Sequence, residues 1–427
     1  MNLIADIIVW IAYLVSLYFS IFLLLVFLDK KTLLKNEEAE SSPETLPQHP
    51  FISILIPAYN EEETIIKTLN SVEQLDYPQE KMQVIVINDG SRDHTKQKVE
   101  QYIKDKPYIT LLSQPNRGKA VSLNRALKLA KGEFFACLDA DSFVEPATLK
   151  KMLSFYYRQN DPSLAIVTPA MKVSQPKNIL QKIQWLEYIV MMFIGRLSSQ
   201  IDSLYVAPGP FSLYNTAIIQ KLGGFDEQTL TEDQEIAYRV QQHHYRIKHC
   251  FDGYVYTTAP NKIRPFWRQR RRWYLGSITC LHQYRSLVAN KKYGDFGLMQ
   301  LVKNVMGFVL AITGLTLVGY LFIRPLFIKV KNLLLIHFNI VPYLLNLKLH
   351  ITQLTLLLIN FRKSFVLFFL VLLGWFFFYY AHKNAREKIT KVGWIPLIPY
   401  ALYYYLLKGI ILLVSLTQFS RSRKVKW

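Results

Sequence analysis

Two aspartates, Asp139 and Asp141, flank one alanine at the end of the apolar run Phe134-Phe135-Ala136-Cys137-Leu138. The run reads as a buried strand, and in open α/β sheets ligands bind beyond the carboxyl ends of strands. On extended backbone, residues two apart point to the same side. The pair could therefore share a divalent cation or a metal-bound diphosphate, because Mg²⁺ and Mn²⁺ favour hard oxygen ligands. A plainer reading is a strand-to-helix turn, with Asp141 or Ser142 capping a helix that begins near Glu145-Pro146-Ala147. A further carboxylate, Asp233, lies in Thr231-Glu232-Asp233 at the start of a helix expected over 234–242. A helix N-terminus favours its ionised form; Thr231 or Asp233 as a simple N-cap is the alternative.

Cations and aromatics are dense in Arg264-Pro265-Phe266-Trp267-Arg268-Gln269-Arg270-Arg271-Arg272-Trp273. One reading is a basic helix on a membrane surface. The other is a platform where arginine holds a diphosphate leaving group and tryptophan stacks on a ring. His243, His244 and His249 fit no standard zinc spacing and read as surface or core histidines.

These residues need elements to position them. Strands are expected over 51–57, 83–87, near 109–112 and at 134–138, each followed by helical spacing or a polar loop. Alternating strand and helix of this kind argue for a mostly parallel α/β sheet, continuing through a strand near 164–168. No G-x-G-x-x-G follows the first strand, which excludes the Rossmann dinucleotide fingerprint. Residues 178–200 form an amphipathic helical run with Ile179, Ile183, Leu186, Val190, Phe193 and Leu197 on one face. That face could lie at a bilayer surface, line an acceptor entrance or pack in the core.

Hydrophobic residues make up 51% of the 427 and aromatics 14%, a balance that suits a part-membrane protein. The formal charge of +20 sits mainly beside apolar spans and near 262–272. That placement favours anionic lipid and a phosphate-bearing substrate, and with no DNA- or RNA-binding motif a nucleic-acid partner is excluded. Cys137, Cys250 and Cys280 form no C-x-x-C pair, as expected of a reduced, cytosol-facing domain.

Residues 7–28 carry no charge and are long enough to span a bilayer. The start lacks a basic segment and a small-residue cleavage site, which disfavours a signal peptide. Lys30, Lys31 and Lys35 then put the next segment on the cytoplasmic side. The expected organisation is a transmembrane helix over 1–29, a linker over 30–50, a cytosolic catalytic domain with interfacial helices over 51–293, a membrane region over 294–419 and a basic tail over 420–427. Within the membrane region spans are expected at 307–323, 365–381 and 394–419. A fourth between the first two is complicated by Lys348 and Pro342, although an even number would keep the basic tail inside.

Taken in order, Ile56-Pro57-Ala58-Tyr59-Asn60-Glu61, Asn88-Asp89-Gly90-Ser91, Arg117-Gly118-Lys119, Asp139-Ala140-Asp141, Thr231-Glu232-Asp233 and Gln269-Arg270-Arg271-Arg272-Trp273 form a set that extends over residues 51–276. It resembles the membrane-embedded inverting glycosyltransferases of family two, of the poly-N-acetylglucosamine, hyaluronan, chitin and cellulose synthase type. The resemblance implies a GT-A fold, a mostly parallel α/β sheet domain flanked by transmembrane α-helices. It also implies a nucleotide-sugar donor, a Mg²⁺ or Mn²⁺ cofactor and a polysaccharide acceptor.

By that resemblance Pro57, Ala58, Asn60 and Glu61 contact the nucleoside, Asp89 the base, and Lys119 the base or phosphates. Asp139 contacts donor and metal, Asp141 ligates the metal, and Asp233 is the general base. Gln269, Arg272 and Trp273 secure the diphosphate and the acceptor end. The chain departs from many relatives in having Asn88 before Asp89, one span before the domain, and no arginine closing Gly209-Pro210-Phe211-Ser212-Leu213-Tyr214. The expected localisation is a multi-pass cell-membrane protein in contact with lipids, with room for an accessory membrane subunit. A single-addition enzyme acting on a lipid or lipid-phosphate acceptor is the second reading, and a catalytically silent scaffold the third.

Overall fold

The computed structural model describes residues 3–39, 46, 48–335 and 361–421. After the long N-terminal helix α1 (Leu3–Ala39) come β1 (Ile52–Ala58), α2 (Ile65–Glu73), β2 (Met82–Asp89), α3 (Thr95–Tyr102), β3 (Ile109–Gln114), α4 (Lys119–Leu127) and β4 (Phe134–Cys137). These strands form a parallel block in the order β3-β2-β1-β4. Helices cover both faces, so the strands read as nearly continuous apolar runs. Side chains alternate across the sheet. Ile54 and Ile56 meet Ile65, Leu69, Leu149 and Met152 on one face. Leu55, Ile85 and Ile87 meet Leu123, Ala126 and Ile236 on the other. The chain runs outward from β1 to β3 and returns to the far side of β1 as β4. That reversal opens a crevice at the carboxyl ends of β1 and β4.

The second half contributes β5 (Ser142–Val144), α5 (Thr148–Gln159), β6 (Leu164–Val173), α6 (Ile179–Gln200), β7 (Ser212–Asn215), α7 (Thr216–Lys221), α8 (Glu232–Gln242), β8 (Arg246–Thr257) and α9 (Ile263–Gln283). The eight-stranded sheet continues β4-β7-β6-β8-β5. Here β7 opposes both β4 and β6, β5 opposes β8, and β6 and β8 are parallel. The sheet is therefore mixed, with four parallel and three antiparallel pairings among the described strands. The cause is local: Phe211 N donates to Cys137 O, so β7 starts where β4 ends and must run back against it.

Among the described residues four helices are long and apolar enough to cross a membrane: Asp6–Glu37 within α1, α10 (Phe296–Leu335), α11 (Phe361–Ala385) and α12 (Leu397–Arg421). The first helix does not end at residue 29. It runs to Ala39, so the first ten residues of the expected 30–50 linker are helical. Its last turns are held by tertiary contact: Leu34 is buried, and Glu37 pairs with Arg196 of α6 at 3.1 Å. Three of the four helices follow the domain; most of the region expected to hold a further span lies outside the described residues.

The α6 helix begins in a capping box, with Asn178 and Gln181 each bonded to the other's backbone N–H. It is sandwiched between the sheet and the membrane helices. Trp185, Leu186, Ile189 and Phe193 share a core with Val26 and Phe27 of α1, Phe266 of α9 and Ala381 of α11. Ile179 stays exposed. Arg196 bonds Leu34 O at 2.7 Å and also reaches Asn384 of α11, so buried polar ties join three helices.

Candidate active site

A cavity of about 340 Å³ opens at the crevice, lined by Pro57, Ala58, Tyr59, Glu61, Asp89, Lys119, Ser122, Asp139, Ala140, Asp141 and Arg272. Asp139 and Asp141 do not sit on a strand. β4 ends at Cys137, and the two carboxylates occupy the turn into β5. That turn is fixed by Leu138 N on Leu55 O at 2.9 Å, Ser142 N on Asp139 O at 3.0 Å and Thr68 Oγ1 on Ala140 O at 2.8 Å. Neither Asp141 nor Ser142 caps the following helix. α5 begins only at Thr148, and Ser142 opens β5.

Lys119 is the electrostatic centre. Its Nζ lies 2.6 Å from Asp139 Oδ1 and 2.8 Å from Glu232 Oε1. Burial opposes its charge, but the two carboxylates outweigh it and hold the ammonium firmly protonated. Lys119 opens α4 behind Gly118, whose φ of +95° suits glycine. Gly209 lies directly against this pair. A Cβ there would come within 2.6 Å of Lys119 Nζ and 3.0 Å of Asp139 Oδ2, so any larger residue at 209 must push this ion pair aside. Phe211, fully buried, takes φ +62°, a strained conformation for a bulky residue beside the end of β4.

Asp233 lies one residue into α8, directly after the Glu232 that pairs with Lys119, and is not among the residues that line the cavity. Its backbone oxygen receives Ala207 N at 3.0 Å, and Oδ1 receives Gln234 N at 2.8 Å. Burial and the neighbouring Glu232 push its carboxyl up to about 6, against the pull of Lys119 and Arg272. Thr231 occupies the cap position without a side-chain capping bond, so Asp233 is not explained as a cap. Glu61 is likewise lifted to about 7 by burial, against the 2.7 Å bond from Thr64 Oγ1 and with help from Asp141 and Asp139.

Burial and Asp139 push the Asp141 carboxyl up to about 6. Among the described residues Asp141 has no ion-pair partner, and Ser142 Oγ donates to it at 3.0 Å. No group of three or more His, Cys, Asp or Glu in metal-binding geometry occurs among those residues. Two carboxylates still fit Mg²⁺ or Mn²⁺, ions that complete their shells with water and substrate phosphate. An under-compensated carboxylate beside the cavity is the observation that makes this fit.

The remaining residues separate into those that face the cavity and those that do not. Pro57, Ala58, Glu61, Asp89, Lys119, Asp139, Asp141 and Arg272 come together as expected from the sequence. Asp89 is buried, and both its oxygens are already engaged. Oδ1 accepts from Gln114 Nε2 and Arg117 N, and Oδ2 from Gly118 N at 2.8 Å. It thus shapes the turn that presents Lys119. Asn60 does not line the cavity; its Oδ1 accepts from Arg92 N at 2.8 Å, at φ +56°. Tyr59, exposed beside it, takes its place.

The Gln269–Trp273 motif divides around its helix, as 100° per residue requires. Arg272 reaches the cavity. Arg270 turns away and is buried, its guanidinium 4.0 Å from the centre of the half-buried Trp273 ring. Gln269 Oε1 is buried with no hydrogen-bond partner among the described residues. Sequence reasoning missed Tyr59, Ser122, Ala140 and the contact made by Gly209. Ser122, one helical turn from Lys119, was the one with a readable signal.

His249 is a core residue bonded to Thr168 at 3.0 Å, and burial drives its ring down to about 3. All three cysteines are free and buried.

Residues 53–223 match the family model described as Glycosyl transferase family 2. Over 250 residues the chain is 32% identical to a poly-beta-1,6-N-acetyl-D-glucosamine synthase of Staphylococcus epidermidis and to one of Staphylococcus aureus (strain COL). The matched segment is 58% of this chain, and the chain spans about 60% of the length of those relatives. Among solved structures it is similar to a mannosyltransferase from Pyrobaculum calidifontis in complex with GDP-Man and Mn2+. That match has 19% identity and a TM-score of 0.53, covering 71% of this chain and 83% of the other. The fold is thus a GT-A-like mixed α/β sheet, within which residues 53–223 match the family 2 glycosyl transferase model.

Proposed function

From a chain built on that fold, we propose an inverting glycosyltransferase that moves N-acetylglucosamine or glucose from a UDP-sugar to a growing polysaccharide at the membrane. The observation that carries this reading is the convergence of Asp139, Asp141, Lys119 and Arg272 on one cavity, with Lys119 also joined to Glu232 beside Asp233 at the start of α8. The similarity to poly-beta-1,6-N-acetyl-D-glucosamine synthases supports the same class of acceptor.

The roles follow from charge. Pro57, Ala58, Tyr59 and Glu61 bound the nucleoside end of the cavity, with Asp89 setting the turn beneath it. Asp139 and Asp141 would hold a Mg²⁺ or Mn²⁺ ion, which supplies charge neutralisation to the diphosphate. Arg272 stabilises the negative charge that grows on the leaving oxygens as the anomeric carbon–oxygen bond breaks. Asp233 takes the proton from the acceptor hydroxyl, whose oxygen forms the new bond from the opposite face, inverting the anomeric centre. Gln269, with its buried open oxygen, and Trp273, with its ring, serve the acceptor end.

Lys30, Lys31 and Lys35 follow the first span, so the domain faces the cytosol, where nucleotide sugars are made, in a multi-pass protein. Incubating the purified protein with a panel of nucleotide sugars and sizing the product tests the reading. A polymer from a UDP-sugar is expected; a single added sugar on lipid would replace the polymer by the lipid acceptor.

Metal dependence is a separate expectation. Excess chelator should abolish donor turnover and added Mg²⁺ or Mn²⁺ restore it, while Asp141→Ala should remain inactive at ordinary metal concentrations. Full turnover in chelator would refute the metal assignment.

A further inference from the structure

One buried charge cluster has no part in the transfer chemistry described above. Glu187 of α6 is 4% exposed, and its carboxylate meets three donors from two other helices. Arg270 Nη2 of α9 lies 2.5 Å from Oε2, and the Tyr404 hydroxyl of α12 lies 2.6 Å from the same oxygen. Lys408 Nζ, also of α12, lies 2.6 Å from Oε1. Tyr404 OH closes the cluster at 3.2 Å from Arg270 Nη2. Burial alone would lift the Glu187 carboxyl, but Arg270 and Lys408 hold it down at about 2, so it stays charged at any working pH.

Packing α9 against α12 does not require such a group. Replacing buried ion clusters with apolar side chains is often neutral or stabilising, so this cluster is weak support for a purely stabilising role. What distinguishes it is its neighbour. The guanidinium that Glu187 holds is the one stacked 4.0 Å from the Trp273 ring centre. A planar guanidinium held at Nη2 by both a carboxylate and a tyrosine hydroxyl is restrained in the orientation of its face, which a mobile cation would not be.

We propose that Glu187 is a positioning residue for the acceptor. Through Arg270 it sets the Trp273 ring, and through Lys408 it ties that ring to the last membrane helix. The acceptor surface and the position of α12 are thereby set together. The inference rests on the reading of Trp273 as an acceptor surface.

Three variants of the whole chain in bilayer nanodiscs test it, with product length and donor KM as readouts. Glu187→Gln keeps the shape but leaves Arg270 and Lys408 without a carboxylate. Product should shorten by up to about tenfold, the scale of one lost aromatic or cation–π contact, at a donor KM changed by less than about twofold. Glu187→Asp should recover part of the length. Lys408→Met leaves the Glu187–Arg270 pair intact and removes one tie to α12, so it should shorten product less.

Unchanged length in Glu187→Gln and Lys408→Met overturns the proposal, as does shortening matched by a proportional rise in donor KM, which would mark general distortion. If Glu187→Gln does not fold, Lys408→Met decides alone: normal length refutes the tie to α12. If the unmodified enzyme adds a single sugar, the polysaccharide reading fails but the inference does not. It is then read in the acceptor KM, which Glu187→Gln must raise.

Discussion

Asp233→Asn is expected to bind donor normally and to transfer sugar about 10²–10⁴-fold more slowly, the usual contribution of a general base. Asparagine keeps the size and can still accept from Gln234 N, as Oδ1 does now at 2.8 Å, so the start of α8 should hold. It cannot take the acceptor's proton. The nucleotide cavity is lined by residues of other elements, which is why nucleoside-diphosphate affinity should survive. The unmodified enzyme carries a second signature. With the Asp233 carboxyl raised to about 6, the base is protonated and idle below that pH and free above it. Transfer should therefore rise with pH through about 6, and the residual activity of the variant should lose that limb. Isothermal titration with UDP and initial transfer rates across pH 5–8 check both parts. Near-normal transfer by Asp233→Asn would move the base to Glu232.

Lys119→Met is expected to damage both stability and activity. The ammonium is shared by Asp139 and by Glu232, which is 3% exposed, and removing it leaves two carboxylates facing one another. Breaking a fully buried pair by deleting one partner costs about 3–5 kcal/mol, and with Lys119 and Asp139 partly exposed to solvent the loss here should fall below that range. The melting temperature should fall, and transfer should be lost even in the folded fraction, since Asp139 and the start of α8 are no longer held together. Lys119→Arg should not rescue it. A planar guanidinium cannot place one compact charge between Asp139 and Glu232 as the ammonium does, and Gly209 packs close beside that charge. Thermal unfolding in detergent with parallel activity assays decides the matter; full activity in Lys119→Arg would show that the pair is not sterically framed by the loop.

Much of the parallel half of the sheet was legible because its strands are buried on both faces and bounded by polar turns. The runs at 52–58, 82–89 and 134–137 carry that signal without interruption. The antiparallel half was not. Nothing in Ser212-Leu213-Tyr214-Asn215 states which way it will run; the direction follows from where the loop before it docks on Cys137. The end of α1 was misread for a similar reason. Asn36-Glu37-Glu38 looks like a polar linker until Arg196, distant in sequence, is placed beside Glu37.

Residue types and order alone determined the chemistry: two hard carboxylates after a buried strand, a lysine behind a glycine, an acid at a helix start, and a cationic–aromatic helix. These depend on local backbone and on side-chain functional groups, both of which a linear pattern records. Only the tertiary structure decided the partnerships. It showed Asp89 bracing a turn while lining the cavity, placed Asn60 outside the cavity, joined Asp139 to Glu232 through one ammonium, and sent Arg270 to Glu187 while Arg272 faced the cavity. Such pairings depend on distances between groups far apart in the chain. Those distances exist only once the sheet, α6 and the membrane helices have packed.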